Sequence, residues 1–258
     1  MVSKKKLNLL LTNDDGIDSL GIKILQEKLQ DIANIYVLAP ASNRSAVSSH
    51  IIMDSPLTFV KMGENSFSCS GYPADCVISA MRSSIFDNVK FDAVISGINK
   101  GSNMGTDCIY SGTVAAARQA VLYGIPGIAL SLKSPKGEYY HDGYEYEALA
   151  DFARDNIHSL ISLYRPDCVI SINALSQKSY KGAKFTSLCI RDYKDKIELA
   201  KISEDYFESC FRSGTLNTTG KEENEYEAVC HGYIAITRFH AEPVDFVDYK
   251  SQNLSFVF

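Results

Sequence analysis

Residues 7–16 read LNLLLTNDDG: an apolar run broken only by Asn8, then a threonine, an asparagine, two aspartates and a glycine. A strand with one wet face alternates apolar and polar residues, whereas a continuous apolar run is expected of a strand covered on both faces. Strands of that kind belong to parallel sheets with helices packed above and below. The same ten residues then end in carboxylates, at the place where such sheets hold their ligands.

The neighbouring sequence keeps to this reading. Asp18 or Ser19 can cap a helix whose Ile22, Leu25 and Leu29 share one face. Ile35–Ala39 reads as a second buried strand, stopped by Pro40. Pro73 stands where a helix begins, with Val77, Ala80, Met81 and Ile85 following at helical spacing. Phe91–Ser96, Gly127–Leu132 and Cys168–Ile172 read as strands. Thr113–Tyr123 is a small-residue helix ended by Gly124 and Pro126, and an amphipathic helix lies near Tyr146–Leu163. The expected class is α/β, a Rossmann-like, mostly parallel sheet with helices on both faces.

After about Lys181 the pattern changes. Lys184–Arg191 and Glu227–Phe239 are rich in alternating β-formers, and the polar stretch Ser213–Glu225 between them contains Gly214 and Gly220. The expectation is a core over residues 1–180 and a β-rich extension over 181–258. An arm pairing with a second chain and a hairpin at the edge of the main sheet both suit that extension.

Composition narrows the function classes. The 258 residues are 45% hydrophobic and 22% charged, which is globular rather than disordered. With 26 Lys and Arg against 31 Asp and Glu, the net charge of −5 excludes binding of polymeric nucleic acid by bulk charge. No stretch approaches the roughly 20 apolar residues of a membrane span. The opening MVSKKKLNLLLTNDD is too short in its apolar part for a secretory signal. Seven cysteines, an odd number with no C-x-x-C, point to reduced thiols and a cytoplasmic setting.

Chemistry is expected in the loops after the strands. Asp14 and Asp15 follow the first, and Asn43, Arg44 and Ser45 follow the second. Asn99, Asn103 and Asp107 follow Phe91–Ser96, among glycines at 97, 101 and 105. These oxygen donors suit a hard divalent cation. Adjacent carboxylates repel unless a cation lies between them, although Asp-Gly is also a plain turn dipeptide. Ser111, Gly112 and Thr113 open a helix, whose free N–H groups form an anion site. The loops carry neither G-x-G-x-x-G nor G-x-S-x-G, so a dinucleotide site and a nucleophile elbow are unsupported. Arg44 is a candidate phosphate contact, and His240, after the last strand, a weaker candidate for the rim.

Taken in order, LLLTNDDGIDSLGI (9–22), VLAPASNRSAVSS (37–49), SGYPADCV (70–77), SGINKGSNMGTDCIYSGTVAAA (96–117) and YGIPGIALS (123–131) resemble the SurE (survival protein E) family of nucleoside monophosphate phosphatases. SINAL (171–175) is similar to a later strand of that family. The resemblance implies a divalent-metal-dependent 5′-nucleotidase, with activity on 3′-nucleotides and polyphosphate in some members. It implies one Mg²⁺ or Mn²⁺ held by Asp14, Asp15, Ser45 and Asn99, with Asp14 and Asp15 catalytic. Asn103, Ser111, Gly112 and Thr113 would surround the phosphate. It also implies dimers or tetramers with exchanged C-terminal arms. Tyr72 departs from the threonine usual in the family's GTPADC motif, and Arg118 stands near a customary acidic position. A non-catalytic nucleotide-binding protein and a metal-dependent sugar-nucleotide transferase are the rival readings of the same rim.

Overall fold

The structure, a computed structural model, describes residues 6–137, 142–212 and 214–244. The chain begins β1 (Leu7–Thr12), α1 (Leu20–Leu29), β2 (Ala33–Pro40), β3 (Phe59–Gly63), β4 (Ser66–Cys69) and α2 (Pro73–Arg82). It continues β5 (Ala93–Lys100), the single turn α3 (Asp107–Tyr110), α4 (Gly112–Leu122), β6 (Gly127–Lys133), α5 (Glu147–Ser162) and β7 (Cys168–Leu175). Then come β8 (Ala183–Thr186), β9 (Cys189–Asp192), β10 (Lys196–Lys201), β11 (Phe207–Arg212), β12 (Asn217–Gly220), α6 (Glu225–Cys230) and β13 (Ile234–His240).

Among the described residues the main sheet runs β3-β4-β2-β1-β5-β6-β7-β13-β8. From β4 to β7 the neighbours are parallel. β3 and β13 join antiparallel, and β8 lies parallel to β13. The fold class is therefore α/β, as the apolar run of β1 predicts. The reason is visible in the packing. Leu9 and Leu11 enter one apolar cluster with Ile22, Leu25, Leu149 and Ile157 from α1 and α5. Leu10 enters another with Val77 and Ala80 of α2 and Ala116 and Ala120 of α4. Successive side chains of a strand point to opposite faces, so a run of leucines covered on both sides buries every one of them.

Three stretches differ from expectation. β5 runs on past Ser96 to Lys100, because the register against β6 slips after Ser96 and re-forms with Asn99 opposite Ser131. Glu227–Phe239 is only part strand. Its first residues belong to α6, where the Asn224 side chain accepts the Glu227 N–H at 3.1 Å and Ala228 and Val229 turn inward. The polar stretch after 213 is not bare loop, since β12 pairs antiparallel with β9. Ser213 and the lysines at 4 and 5 lie outside the described residues. No helix among the described residues is long and apolar enough to cross a membrane.

α4 lies unusually close to the sheet. A Cβ on Gly127 would stand 1.8 Å from the Ala117 carbonyl oxygen, which is backbone and has nowhere to move. Gly127→Ala is expected to destabilise the protein by about 3 kcal/mol. A urea titration checks this, as a lower midpoint with unchanged slope.

Candidate functional site

β1 and β5 are adjacent in the sheet, and the strands on either side of them run outward in opposite directions from the chain's start. Ligands of open α/β sheets bind in the crevice at such a switch point, beyond the carboxyl ends of the strands. Asp14 and Asp15 follow β1 here, and Asn99 lies at the end of β5.

Asp14 is 3% exposed. Its Oδ2 accepts the Thr113 N–H at 3.1 Å, and its Oδ1 accepts the Thr113 hydroxyl at 2.5 Å. Burial pushes the Asp14 carboxyl up to about 6, with the Asp15 charge adding to the rise and the Thr113 bonds opposing it. α4 can start here because the Ser111 hydroxyl caps it, accepting the Val114 N–H at 3.1 Å. Gly112 is required by the close approach. A Cβ there would lie 2.9 Å from the Asp14 Cβ and 3.1 Å from the Pro73 Cγ. Thr113, expected beside a phosphate, thus spends both its N–H and its hydroxyl on Asp14. The free N–H at this helix start is that of Gly112, which as the first helical residue has no intrahelical acceptor.

Asp15 accepts the Lys100 N–H at 3.0 Å, which draws it to the end of β5 beside Asn99. Asn99 turns its amide nitrogen to the Gly101 carbonyl at 2.9 Å, so its Oδ1 is the atom left for a cation. The loop carrying Ser45 is tied in by the Arg44 N–H, donated to the Asp14 carbonyl at 2.6 Å. Ser45 itself bonds through its N–H to Asn43 Oδ1 at 2.8 Å and is exposed. Among the described residues no three His, Cys, Asp or Glu side chains converge on one point. A cation at this rim would therefore be held by two carboxylates completed by neutral oxygens. The donor chemistry of Asp14, Asp15, Asn99 and Ser45 fits a hard divalent ion.

Asn103 sits on the far side of the glycine-rich loop. It donates through Nδ2 to the Ser131 hydroxyl at 2.9 Å and through its N–H to Asn173 Oδ1 at 2.9 Å. Asn173 in turn donates to the Asn103 carbonyl at 3.0 Å. His240 is not at the rim. β13 is antiparallel to β7, so His240 pairs with Cys168 at the opposite end of the sheet and lies 3.6 Å from Asp167.

The C-terminal segment supplies residues that sequence reasoning missed. Glu225, with no exposed surface, accepts the Gly105 N–H at 2.6 Å, the Cys189 N–H at 3.3 Å and the Thr237 hydroxyl at 3.2 Å. Asp107 accepts the Tyr193 hydroxyl at 2.7 Å and pairs with the buried Arg191 at 3.3 Å. β9 and α6 thus brace the loop between β5 and α4 from behind. Arg191 ends a stretch of β-formers and Glu225 ends the polar stretch Ser213–Glu225, where charge is ordinary, so neither carried a sequence signal.

Burial pushes the Glu225 carboxyl up from 4.5 to about 7. Between those values the folded protein keeps a proton that the unfolded chain has released. Stability from this group therefore falls as pH rises from about 4.5 to 7 and is level above. Glu225→Gln keeps an acceptor for Gly105, and its stability difference from wild type is expected to change across that window in the variant's favour. Glu225→Ala orphans two buried N–H groups and is expected to cost about 1–3 kcal/mol at pH 4.5, a cost that shrinks as pH rises to 7 because the variant has no group to titrate. Urea midpoints from pH 4.5 to 8 check both.

Comparison with known proteins shows the family and agrees with the fold. The family model described as "Survival protein SurE" matches residues 9–195. A "5′-nucleotidase SurE" of Treponema pallidum is 42% identical over 189 residues, 72% of this chain and 100% of that protein. One from Desulfitobacterium hafniense is 36% identical over 259 residues, 96% of this chain and 98% of that protein. The crystal structure of the SurE protein from Aquifex aeolicus superposes with a TM-score of 0.79 at 30% identity, covering 94% of this chain and 96% of that one. With a matching family model over most of its length and relatives alike from end to end, this chain belongs to the SurE family.

Proposed function

We propose that this chain is a divalent-metal-dependent 5′-nucleotidase that hydrolyses nucleoside 5′-monophosphates, with 3′-monophosphates and polyphosphate as further substrates. The family assignment carries the coarser statement, that the chain is a nucleotidase. The observation that carries the rest is Asp14, a buried carboxylate beside a second carboxylate and locked to the start of a helix. A divalent cation of the Mg²⁺ or Mn²⁺ type, when bound, supplies polarisation of the phosphoryl oxygens and a lowered pKa for nearby water. Asp14, Asp15, Asn99 and Ser45 are the residues that would hold it.

The rest of the reaction falls to the chain itself. Thr113 holds both oxygens of Asp14 and so fixes the carboxylate's orientation. The N–H of Gly112, at the positive end of α4, faces developing charge on the transferring group. One of the two carboxylates takes the proton of the attacking water. Asn103, anchored by Ser131 and Asn173, holds the glycine-rich loop in place around the phosphate. The seven cysteines are all free thiols, which suits the reducing setting of the cytoplasm.

A second copy of the chain is the proposed partner. β10 and β11 pair only with each other among the described residues. One face of this hairpin carries Ile197, Leu199, Phe207 and Phe211, which are 65%, 67%, 49% and 72% exposed. An apolar face of that kind is expected to be covered by its counterpart in a homodimer or tetramer.

Phosphate release from AMP is expected with Mg²⁺ or Mn²⁺ and is lost in EDTA. Asp14→Asn lowers it about 10²–10⁴-fold while the melting temperature stays within a few degrees. Full activity of that variant would remove Asp14 from the mechanism. The double variant Ile197→Asp, Phe211→Asp is expected to sediment as a smaller species than wild type. Equal sedimentation of the two would exclude the hairpin as the interface.

A further inference from the structure

The loop between β2 and β3 holds a feature that the hydrolytic machinery does not use. His50 lies with its ring centroid 4.1 Å from that of Tyr72, the two rings inclined at 48°. The Arg44 guanidinium stands 5.1 Å from the centre of the Tyr72 ring and donates to the Ser70 carbonyl at 3.0 Å. His50 is exposed and Tyr72 half-buried. An aromatic pair left open to solvent is surface that a planar ligand can cover.

The pair is fixed in place. Ser48, two residues before His50, donates its hydroxyl to the Ile109 carbonyl and its N–H to the Tyr110 carbonyl, both at 2.8 Å. Ile52, two residues after, donates its N–H to Asp75 Oδ1 at 3.0 Å. The other oxygen of Asp75 accepts the Tyr72 N–H at 2.9 Å. One carboxylate thus holds both the loop bearing His50 and the residue bearing the second ring. Preorganised aromatic surface binds with little ordering cost.

The pair also lies next to the reaction centre. Arg44 is bonded through its N–H to the Asp14 carbonyl and precedes Ser45. Pro73, directly after Tyr72, packs against Gly112 at the start of α4. A group whose phosphate sits at Gly112 therefore extends towards Tyr72 and His50, with the Arg44 cation alongside.

We propose that Tyr72 and His50, with Arg44 beside them, form a stacking platform for the nucleobase and select nucleotides over phosphomonoesters that lack an aromatic base. This rests on the nucleotidase reading and names what its substrate pocket recognises. Every base has a π-face, so the platform favours nucleotides as a class rather than one base. The start of α2 is held by the Tyr72 backbone, whose N–H donates to Asp75 Oδ2 at 2.9 Å and whose carbonyl accepts the Cys76 N–H at 3.1 Å.

The test compares AMP with ribose 5-phosphate. The ratio of their kcat/KM values is expected to fall about tenfold in Tyr72→Thr and in His50→Ala. An unchanged ratio in both variants would overturn the proposal. His50, on an exposed loop, keeps the test decisive if Tyr72→Thr folds poorly. Calorimetric titration of the metal-free protein with the same two ligands separates this inference from hydrolysis. Tighter binding of AMP that is lost in the variants upholds the platform even if the wild-type protein releases no phosphate. Equal binding of the two ligands to wild type overturns it.

Discussion

A carboxylate with almost no water around it must be compensated by the protein, and Asp14 is compensated by Thr113, 99 residues further along the chain. That one contact joins the end of β1 to the first turn of α4. It requires Gly112 to carry no side chain, and it sets how far α4 is drawn over the sheet. Ser111 then has to cap the helix at this point and no other, and Gly127 has to let the helix backbone pass. Gly112 and Gly127 thus go with drawing α4 close over a nearly buried acid.

The parallel sheet was legible because its strands report burial on both faces. Leu9, Leu10 and Leu11 fall alternately into two apolar clusters, and no polar residue was needed to interpret them. The first helix was legible because it buries the stripe Ile22, Leu25 and Leu29, and the one after Pro73 because the proline marks its start. The oxygen donors come together because β1, which Asp14 and Asp15 follow, lies beside β5, whose end carries Asn99. What could not be read was which donor bonds to which. A helix start announces free N–H groups, but the sequence does not say that a neighbouring carboxylate takes one of them. His240 was misplaced because an antiparallel last strand reverses the end at which its residues emerge.

Arg191 and Glu225 were illegible for a different reason. Charged residues, whether among β-formers or in a polar stretch, usually face water, and only a partner distant in sequence can make burial tolerable. Those partners are Asp107 for the arginine and the Gly105 N–H for the glutamate. The segment after residue 181 consequently has two tasks. β9 and α6 look inward and hold the loop of the site, while β10 and β11 look outward with an apolar face.

The Gly105–Glu225 bond spans 120 residues. A ribosome adds roughly 5–20 residues per second, so roughly 6–24 seconds separate the synthesis of the two ends. β1 and β5 are made before that interval and α4 early in it, and Asp14 can then meet Thr113. The loop between them has no acceptor for its Gly105 N–H and no strand behind it. The Gly105 N–H therefore waits for an acceptor made late in the chain, together with the β13 strand that the main sheet also needs.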